Sequence, residues 1–157
     1  MSADRVDPAL TTSQRIQPAG HYSPATVIGN TVVSAGMTPR VDGELAVSAC
    51  VGSDESAGDI TVEHAATLAA HAVQRAIDAC TQVLPDGGRL VRPIAMTVYV
   101  RSRADFTRHS QVADGASSVL AERFGGQVPA RAAVGVSSLP GGAPVEVVLT
   151  AEWTARA

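Results

Sequence analysis

The longest regular pattern of apolar residues lies between residues 61 and 84 and has the spacing of an amphipathic helix. Apolar side chains recur there every three or four positions, at Ala65, Leu68, Ala69, Ala72, Val73, Ala76, Ile77, Cys80 and Leu84. Thr61 stands immediately before the run as a candidate N-cap, and Pro85 begins the turn-forming segment that ends it. The pattern predicts one long helix that buries a single apolar stripe.

Shorter patterns predict strands on both sides of this helix. Residues 25–28 and 31–35 are strand-like and flank Gly29-Asn30, a pair suited to a tight hairpin turn. Residues 39–58 contain Pro, Gly and Asp and are interpreted as a loop with one short strand around residues 45–51. The β-branched run at residues 90–100 predicts a further strand, which has a proline near its start, where a missing N–H is tolerated.

A second helix is predicted to follow this strand. Ser102 and Asp105 have the capping spacing of a hydroxyl followed three residues later by a carboxylate, and the helical pattern continues to about Phe124. Gly115 lies inside this segment, where a glycine costs roughly 1 kcal/mol relative to alanine. Two interpretations remain open: a neighbouring element packs very close to Gly115, or the helix is interrupted there.

Residues 129–148 read as two strands joined by a Pro/Gly turn. If they pair as a symmetric hairpin, Arg131 and Glu146 share one face and lie about 13 Å apart along the strands at ~3.3 Å per residue. Val134 and Val147 then lie on the opposite, core-facing side. The other residues on the Arg131/Glu146 face are small and mostly uncharged. We therefore expect that a ligand or another subunit covers this face.

The resulting order of elements, ββ(β)αβαββ, predicts an α+β protein with two helices on one face of a sheet. A chain of 157 residues suits one domain, and its 45% apolar and 17% charged content is ordinary for a globular protein. We expect a flexible lead-in at residues 1–19 and a single domain at residues 20–157. Because only 3% of the residues are aromatic, the core must be built from aliphatic side chains.

Charge and cysteine content argue against several classes of function. The net charge of −3 gives no electrostatic reason to bind nucleic acid or an anionic membrane. Cys50 and Cys80 are far apart in different contexts, so they indicate neither a disulfide framework nor a metal cluster. His64 and His71 are two helical turns apart, which is too far for one metal ion without other ligands. Since no long apolar run is present, a cytoplasmic location is expected.

Several short blocks carry a family resemblance. They are Gly20-His21-Tyr22-Ser23-Pro24, residues 29–39, Thr97-Val98-Tyr99-Val100 with Asp105-Phe106, Pro129-Ala130-Arg131, and Leu139-Pro140 with Val145-Glu146-Val147. Together, and in this order, these blocks resemble the Rid family of reactive intermediate deaminases, which is also called the YjgF family and is often labelled L-PSP endoribonuclease. The resemblance covers almost the whole chain after about Ala19. Residues 109–120 and 131–139 are more similar to a longer-chain branch than to the archetype.

The resemblance implies a chorismate-mutase-like fold, a homotrimer with ligand clefts between subunits, and no metal or organic cofactor. The implied activity is hydrolysis of enamines and imines such as 2-aminoacrylate to a 2-keto acid and ammonia. By residue matching, Arg131 corresponds to the arginine that anchors the substrate carboxylate, Glu146 to the acid that orients the attacking water, and Tyr22 to the cleft tyrosine. The substrate-binding positions correspond to Gly36, Met37, Ser110 and Ala133.

The chemistry of these side chains fits those implied roles. A guanidinium holds a planar carboxylate by two charge-assisted hydrogen bonds, and a carboxylate accepts the proton of a water that attacks a C=N bond. The chain also departs from the archetype, because Ala133 stands where a cysteine is typical, Ala35 replaces a serine and Ser110 replaces an asparagine. The cleft is therefore expected to be less polar, which is compatible with a larger or different ligand.

Three functions remain open from the sequence. The first is an imine or enamine hydrolase that acts on small carboxylates. The second is a non-catalytic trimeric protein that binds a keto acid or a similar metabolite. The third is the ribonuclease of the family label, which the acidic pI of about 5.7 and the absence of a paired-histidine motif disfavour. Because Arg131 and Glu146 lie apart on the predicted hairpin, we also expect that the complete site draws on two chains.

Overall fold

The computed structural model describes residues 15–52 and 57–155. The main sheet contains β1 Ala25–Ile28, β2 Thr31–Ser34, β5 Arg89–Arg101, β6 Ala130–Val136 and β7 Val145–Thr154, and a small separate hairpin contains β3 Arg40–Val41 and β4 Glu44–Leu45. The main sheet is mixed, with the order β1-β2-β7-β5-β6. Helices α1 Val62–Gln82 and α2 His109–Arg123 pack on one of its faces. The predicted α+β class and layer arrangement are therefore confirmed.

Two predicted elements have the expected form. Thr61 caps α1, and its side chain accepts a hydrogen bond of 3.1 Å from the backbone N–H of His64. The apolar stripe of α1 is buried from Val62 to Cys80. The first hairpin closes with the predicted two-residue turn, in which Gly29 adopts a φ of 58° that glycine tolerates without strain.

The predicted loop at residues 39–58 differs in detail. Its residues 53–56 lie outside the described part of the chain. In place of one short strand around residues 45–51, the structure has the small β3–β4 hairpin and an isolated bridge at Val51. Most of the predicted lead-in, at residues 1–14, also lies outside the described residues.

The start of α2 was predicted too early. The backbone N–H of Ser102 donates to the carbonyl of Val136 at 3.2 Å, so the chain is still extended where the capping box was expected. The helix begins only at His109, and no side chain caps it. It is continuous through Gly115, where a Cβ atom would overlap the carbonyl oxygen of Ala66 in α1. The glycine is therefore explained by the close approach of the two helices.

The predicted terminal hairpin is wrong, because β6 and β7 do not pair with each other. β5 lies between them, parallel to β6 and antiparallel to β7. The connection at residues 137–144 passes the end of β5, where the N–H of Arg101 donates to the carbonyl of Pro144 at 2.8 Å. Neighbouring strands are about 4.8 Å apart, so a connection of this length readily crosses one intervening strand.

The true pairing also moves Arg131 to the other face of the sheet. Arg131 pairs with Met96, which pairs with Leu149, and these side chains face the helices. Glu146 instead pairs with Tyr99 on the face opposite to α1 and α2. A shift of one residue in register reverses the face of every side chain in a strand. The predicted common face for Arg131 and Glu146 is therefore wrong.

One face of the sheet is left largely uncovered by the part of the chain that the structure describes. Val134, which was expected in the core, is 40% exposed, and Ala132 is also exposed. Val148 and Thr97 on neighbouring strands of this face are only partly buried. None of the helices in the described ranges is long and apolar enough to cross a membrane.

Candidate functional site

A cleft of about 730 Å³ lies beside the first residues of β7. Its walls come from residues 15–24, from residues 35–38 after β2, from the β3–β4 hairpin and from Arg75 of α1. Four of the residues predicted from the sequence line this cleft together: Tyr22, Gly36, Met37 and Glu146. The structure thus brings together the predicted water-orienting acid, the cleft tyrosine and part of the predicted pocket lining.

Backbone pairing between Met37 and Val147 positions Glu146 in the cleft. The N–H of Met37 donates to the carbonyl of Val147 at 2.8 Å, and the N–H of Val147 donates back at 2.9 Å. This pairing holds Gly36 against the neighbouring Glu146 side chain, where a Cβ atom on Gly36 would overlap the carboxylate. A glycine at this position therefore lets the carboxylate lie directly against the backbone.

The surroundings of the Glu146 carboxylate favour a proton acceptor. Glu146 is half-buried, and this burial raises the pKa of its carboxyl group. Among the described residues, no group donates a hydrogen bond to this carboxylate. The carboxylate can thus accept a hydrogen bond from a water molecule in the cleft, and the raised pKa brings the group closer to the range that suits a general base.

Tyr22 lies at the edge of the same cleft and is 50% exposed. Its phenol oxygen accepts a hydrogen bond of 3.2 Å from the backbone N–H of Ala19. This bond leaves the phenolic hydrogen available to an acceptor in the cleft.

Arg131 belongs to a second cluster, on the helix-covered face. Its Nη1 donates to Ser117 Oγ at 2.7 Å, and its Nη2 donates to the Ser110 carbonyl at 3.1 Å and to Ser110 Oγ at 2.7 Å. Nη2 also forms an ion pair of 2.7 Å with Asp114. The side chain of Arg131 is only 22% exposed, whereas that of Asp114 is 64% exposed. The predicted carboxylate anchor is therefore already bound to a carboxylate of its own chain.

The remaining predicted residues lie with Arg131. Ser110 binds its guanidinium directly, and Ala133 follows two residues later on the same face of β6, partly buried against the core. Within one chain the structure does not bring Arg131 to Glu146, because the two side chains lie on opposite faces with β5 between their strands. The predicted site residues thus form two separate halves.

Sequence reasoning missed several residues of these clusters. Asp114 and Ser117 were missed. They follow the predicted Ser110 at spacings of four and three residues, so the three form one polar stripe on α2 that helical periodicity could have shown. Arg40 and Arg75 line the Glu146 cleft, but no pattern in the sequence connects a loop arginine with an arginine at the polar edge of α1.

Two helices packed on one face of a mixed sheet, with a half-buried glutamate beside a cleft, define an α+β domain. The family model for Endoribonuclease L-PSP matches residues 12–153 of the chain. Protein TCP17 of Trypanosoma cruzi is 38% identical over 132 residues, which cover 83% of this chain and 79% of that protein. The chain therefore belongs to the endoribonuclease L-PSP family, and the resemblance predicted from the sequence is confirmed.

Solved structures show the same architecture. Protein Atu1372 from Agrobacterium tumefaciens is 29% identical and superposes with a TM-score of 0.73, covering 92% of this chain and 89% of that one. E. coli TdcF, solved with bound serine, is 21% identical with a TM-score of 0.57, and the match covers 90% of this chain and 94% of that one. The latter likeness shows the fold alone. The chorismate-mutase-like fold that the resemblance implied is confirmed.

Proposed function

We propose that the protein hydrolyses imines or enamines that carry a carboxylate, releasing a 2-keto acid and ammonia. The observation that carries the proposal is the Glu146 carboxylate, which is half-buried, has a raised pKa and faces the cleft without a donor among the described residues. Family membership supports a small-molecule ligand, and the serine bound by TdcF shows that a protein with this fold accepts an amino acid.

In the proposed reaction, a water molecule bound to Glu146 attacks the carbon of the C=N bond. Glu146 accepts one proton of this water and delivers it to the imine nitrogen, which gives a tetrahedral intermediate with one hydroxyl and one amino group. Transfer of the hydroxyl proton to the amino nitrogen, again through Glu146, then lets the C–N bond break as the C=O bond forms, and ammonia leaves. The phenol of Tyr22 binds either the departing nitrogen or the attacking water. Because imines hydrolyse in water without a catalyst, the site needs to supply only a modest acceleration and no covalent nucleophile.

The complete site is proposed to lie between two chains of a homotrimer. One chain contributes the Glu146 cleft, and its neighbour contributes Arg131 with Ser110 and Ala133. The separation of the two halves on opposite faces of the sheet supports this arrangement, as does the sheet face that one chain leaves uncovered. The ligand carboxylate would replace Asp114 on the guanidinium, since an ion pair with a largely exposed partner contributes little stability.

The test is a coupled assay for ammonia and keto acid, with freshly generated 2-aminoacrylate and with bulkier imino acids. Arg131→Ala is expected to abolish turnover, and Glu146→Gln is expected to reduce it about 10²-fold or more, as for loss of a general base. Arg89→Ala and Glu122→Gln are matched controls at exposed positions outside both clusters. Wild-type turnover at the uncatalysed rate, or full activity of Glu146→Gln, would contradict the proposal.

A non-catalytic binder of keto acids is the second candidate. The alanines at positions 35 and 133 favour it, because they stand where the archetype has polar side chains and leave fewer groups in the cleft that could assist catalysis. For this function, a keto acid such as 2-oxobutanoate should raise the melting temperature. The corresponding imine should then bind but decay at its rate in buffer.

A further inference from the structure

The Glu146 cleft carries more positive than negative charge. Three arginines line it, Arg15, Arg40 and Arg75, against one carboxylate, that of Glu146. None of the three forms an ion pair within the described ranges, where the ion-paired arginines are Arg92, Arg103 and Arg131. Within the described ranges, the side chains that line this cleft therefore carry a net positive charge without ion pairs, in contrast to the paired guanidinium of Arg131.

Arg40 is held in place by its own hairpin. Its Nε donates to Thr38 Oγ1 at 3.3 Å, and its Nη1 donates to the carbonyl of Gly43 at 2.8 Å. Both acceptors are neutral, and no bond to Nη2 occurs within the described residues. The Arg40 guanidinium is thus preorganised, and its Nη2 is open among the described residues.

Arg75 reaches the same hairpin from α1. Its Nη1 donates to the carbonyl of Arg40 at a long distance of 3.4 Å, and its Nε is buried without a hydrogen-bond partner among the described residues. Burial, and then the charge of Arg40, lower the pKa of Arg75, while Asp78 opposes this shift. An anion beside both arginines would offset the repulsion between these two cations.

We propose that Arg40 and Arg75 form an anion-binding subsite in the Glu146 cleft, which takes a second acidic group, a carboxylate or a phosphate, of the ligand. Guanidinium groups bind both kinds of oxyanion by paired charge-assisted hydrogen bonds. That this acidic group is the second of the ligand rests on the proposed function, in which Arg131 of a neighbouring chain holds the first carboxylate. The preferred ligands are then imino or keto acids with an additional acidic group, and not simple monocarboxylates.

Calorimetric titration of the full chain tests this subsite with three probes: 2-oxobutanoate, which has one carboxylate, 2-oxoglutarate, which has two, and inorganic phosphate. The wild type is expected to bind 2-oxoglutarate more tightly than 2-oxobutanoate. Arg40→Gln and Arg75→Gln should each weaken binding of 2-oxoglutarate about tenfold or more, as expected for loss of a charged hydrogen bond. Binding of 2-oxobutanoate should change less than about twofold in the same variants.

Arg89→Gln is the matched control, because Arg89 is an exposed arginine outside the cleft, and it should leave both affinities unchanged. Arg75→Lys keeps the charge but loses the fork, so it should bind 2-oxoglutarate with intermediate affinity. If phosphate competes with 2-oxoglutarate in the wild type, and this competition is lost without Arg75, the subsite accepts either oxyanion. If 2-oxobutanoate competes with 2-oxoglutarate but phosphate does not, the proposal is overturned.

Equal weakening of both keto acids in Arg40→Gln and Arg75→Gln would also overturn the proposal, as would unchanged affinity for 2-oxoglutarate. The ammonia assay separates this result from the proposed function. Selective binding of 2-oxoglutarate without any imine turnover would leave the subsite in place and contradict the deaminase. Imine turnover that does not depend on Arg40 or Arg75 for any substrate would support the deaminase and contradict the subsite.

Discussion

At the residue scale, the two central side chains are in opposite chemical states. Glu146 is a carboxylate without a donor among the described residues, in a position where burial raises its pKa. Arg131 is a cation whose two terminal nitrogens are bound by a carboxylate, two hydroxyl groups and a carbonyl. The first can accept a proton without rearrangement. The second must exchange a partner before it can hold a substrate.

The raised pKa of Glu146 predicts an acid limb in the pH profile of activity. The base acts when it is ionised, so kcat/KM should rise with pH around an apparent pKa above the ordinary value of 4.5 for a glutamate. Initial rates of ammonia release across the acid range measure this limb. The residual activity of Glu146→Gln should lack it. A limb that persists unchanged in this variant would assign the titration to another group.

The free energy of unfolding should also respond to the raised pKa of Glu146. Because the carboxyl group has a higher pKa in the folded state, the folded protein holds this proton over a pH window in which the unfolded chain has lost it. Its contribution to the free energy of unfolding therefore falls as the pH rises through that window. Glu146→Gln should therefore gain stability relative to wild type as the pH rises from the ordinary glutamate pKa of 4.5 through the raised folded-state pKa, as measured by thermal melting. The exposed Glu122→Gln should show no such trend.

The ion pair between Asp114 and Arg131 predicts the effect of removing the competing carboxylate. Asp114→Asn should lower the KM for a carboxylate substrate, or its Kd for a non-reacting keto acid, several-fold, because the ligand no longer displaces a bound anion. It should leave the free energy of unfolding within about 0.5 kcal/mol, since Asp114 is largely exposed. Calorimetry and urea unfolding measure the two effects. Weaker ligand binding in this variant would instead assign Asp114 to positioning Arg131.

At the scale of elements, local signals in the sequence predicted what local interactions determine. The apolar stripe and cap of α1 and the two-residue turn at Gly29 appear as expected. The pairing of β6 could not be predicted, because a parallel strand contacts residues far along the chain and its turn residues carry no information about β5. The candidate site shows the same contrast. Tyr22, Gly36, Met37 and Glu146 of the predicted set line one cleft, whereas Arg131, whose position depends on the pairing of β6, was predicted on the wrong face.

Packing between the two helices predicts an unusual effect at Gly115. In an ordinary helix interior, glycine to alanine stabilises by roughly 1 kcal/mol. Here the new methyl group would overlap the carbonyl of Ala66, so Gly115→Ala should destabilise the protein by about 1–3 kcal/mol. Urea unfolding measures this change, with Gln111→Ala at an exposed position of α2 as the control. An unchanged or increased stability would mean that the helices separate without cost.

At the scale of the whole molecule, the two halves of the candidate site and the uncovered sheet face have one common explanation. In a closed ring of identical chains, one surface of each protomer meets a different surface of the next. A protomer that carries a proton acceptor in one cluster and a cation in another can then form a complete site only at a contact with its neighbour. The exposed side chains of Val134 and Ala132 would be buried by such a contact.

This arrangement predicts complementation between two inactive variants. Arg131→Ala retains the Glu146 half, and Glu146→Gln retains the Arg131 half, so a mixed ring contains some interfaces with both native groups. Every mixed trimer has one complete interface out of three, so the mixed rings should recover about one third of the wild-type activity. Co-expression with two different affinity tags, followed by the ammonia assay on doubly purified rings, measures it. Mixed rings that remain as inactive as either parent would show that each site is built within one chain.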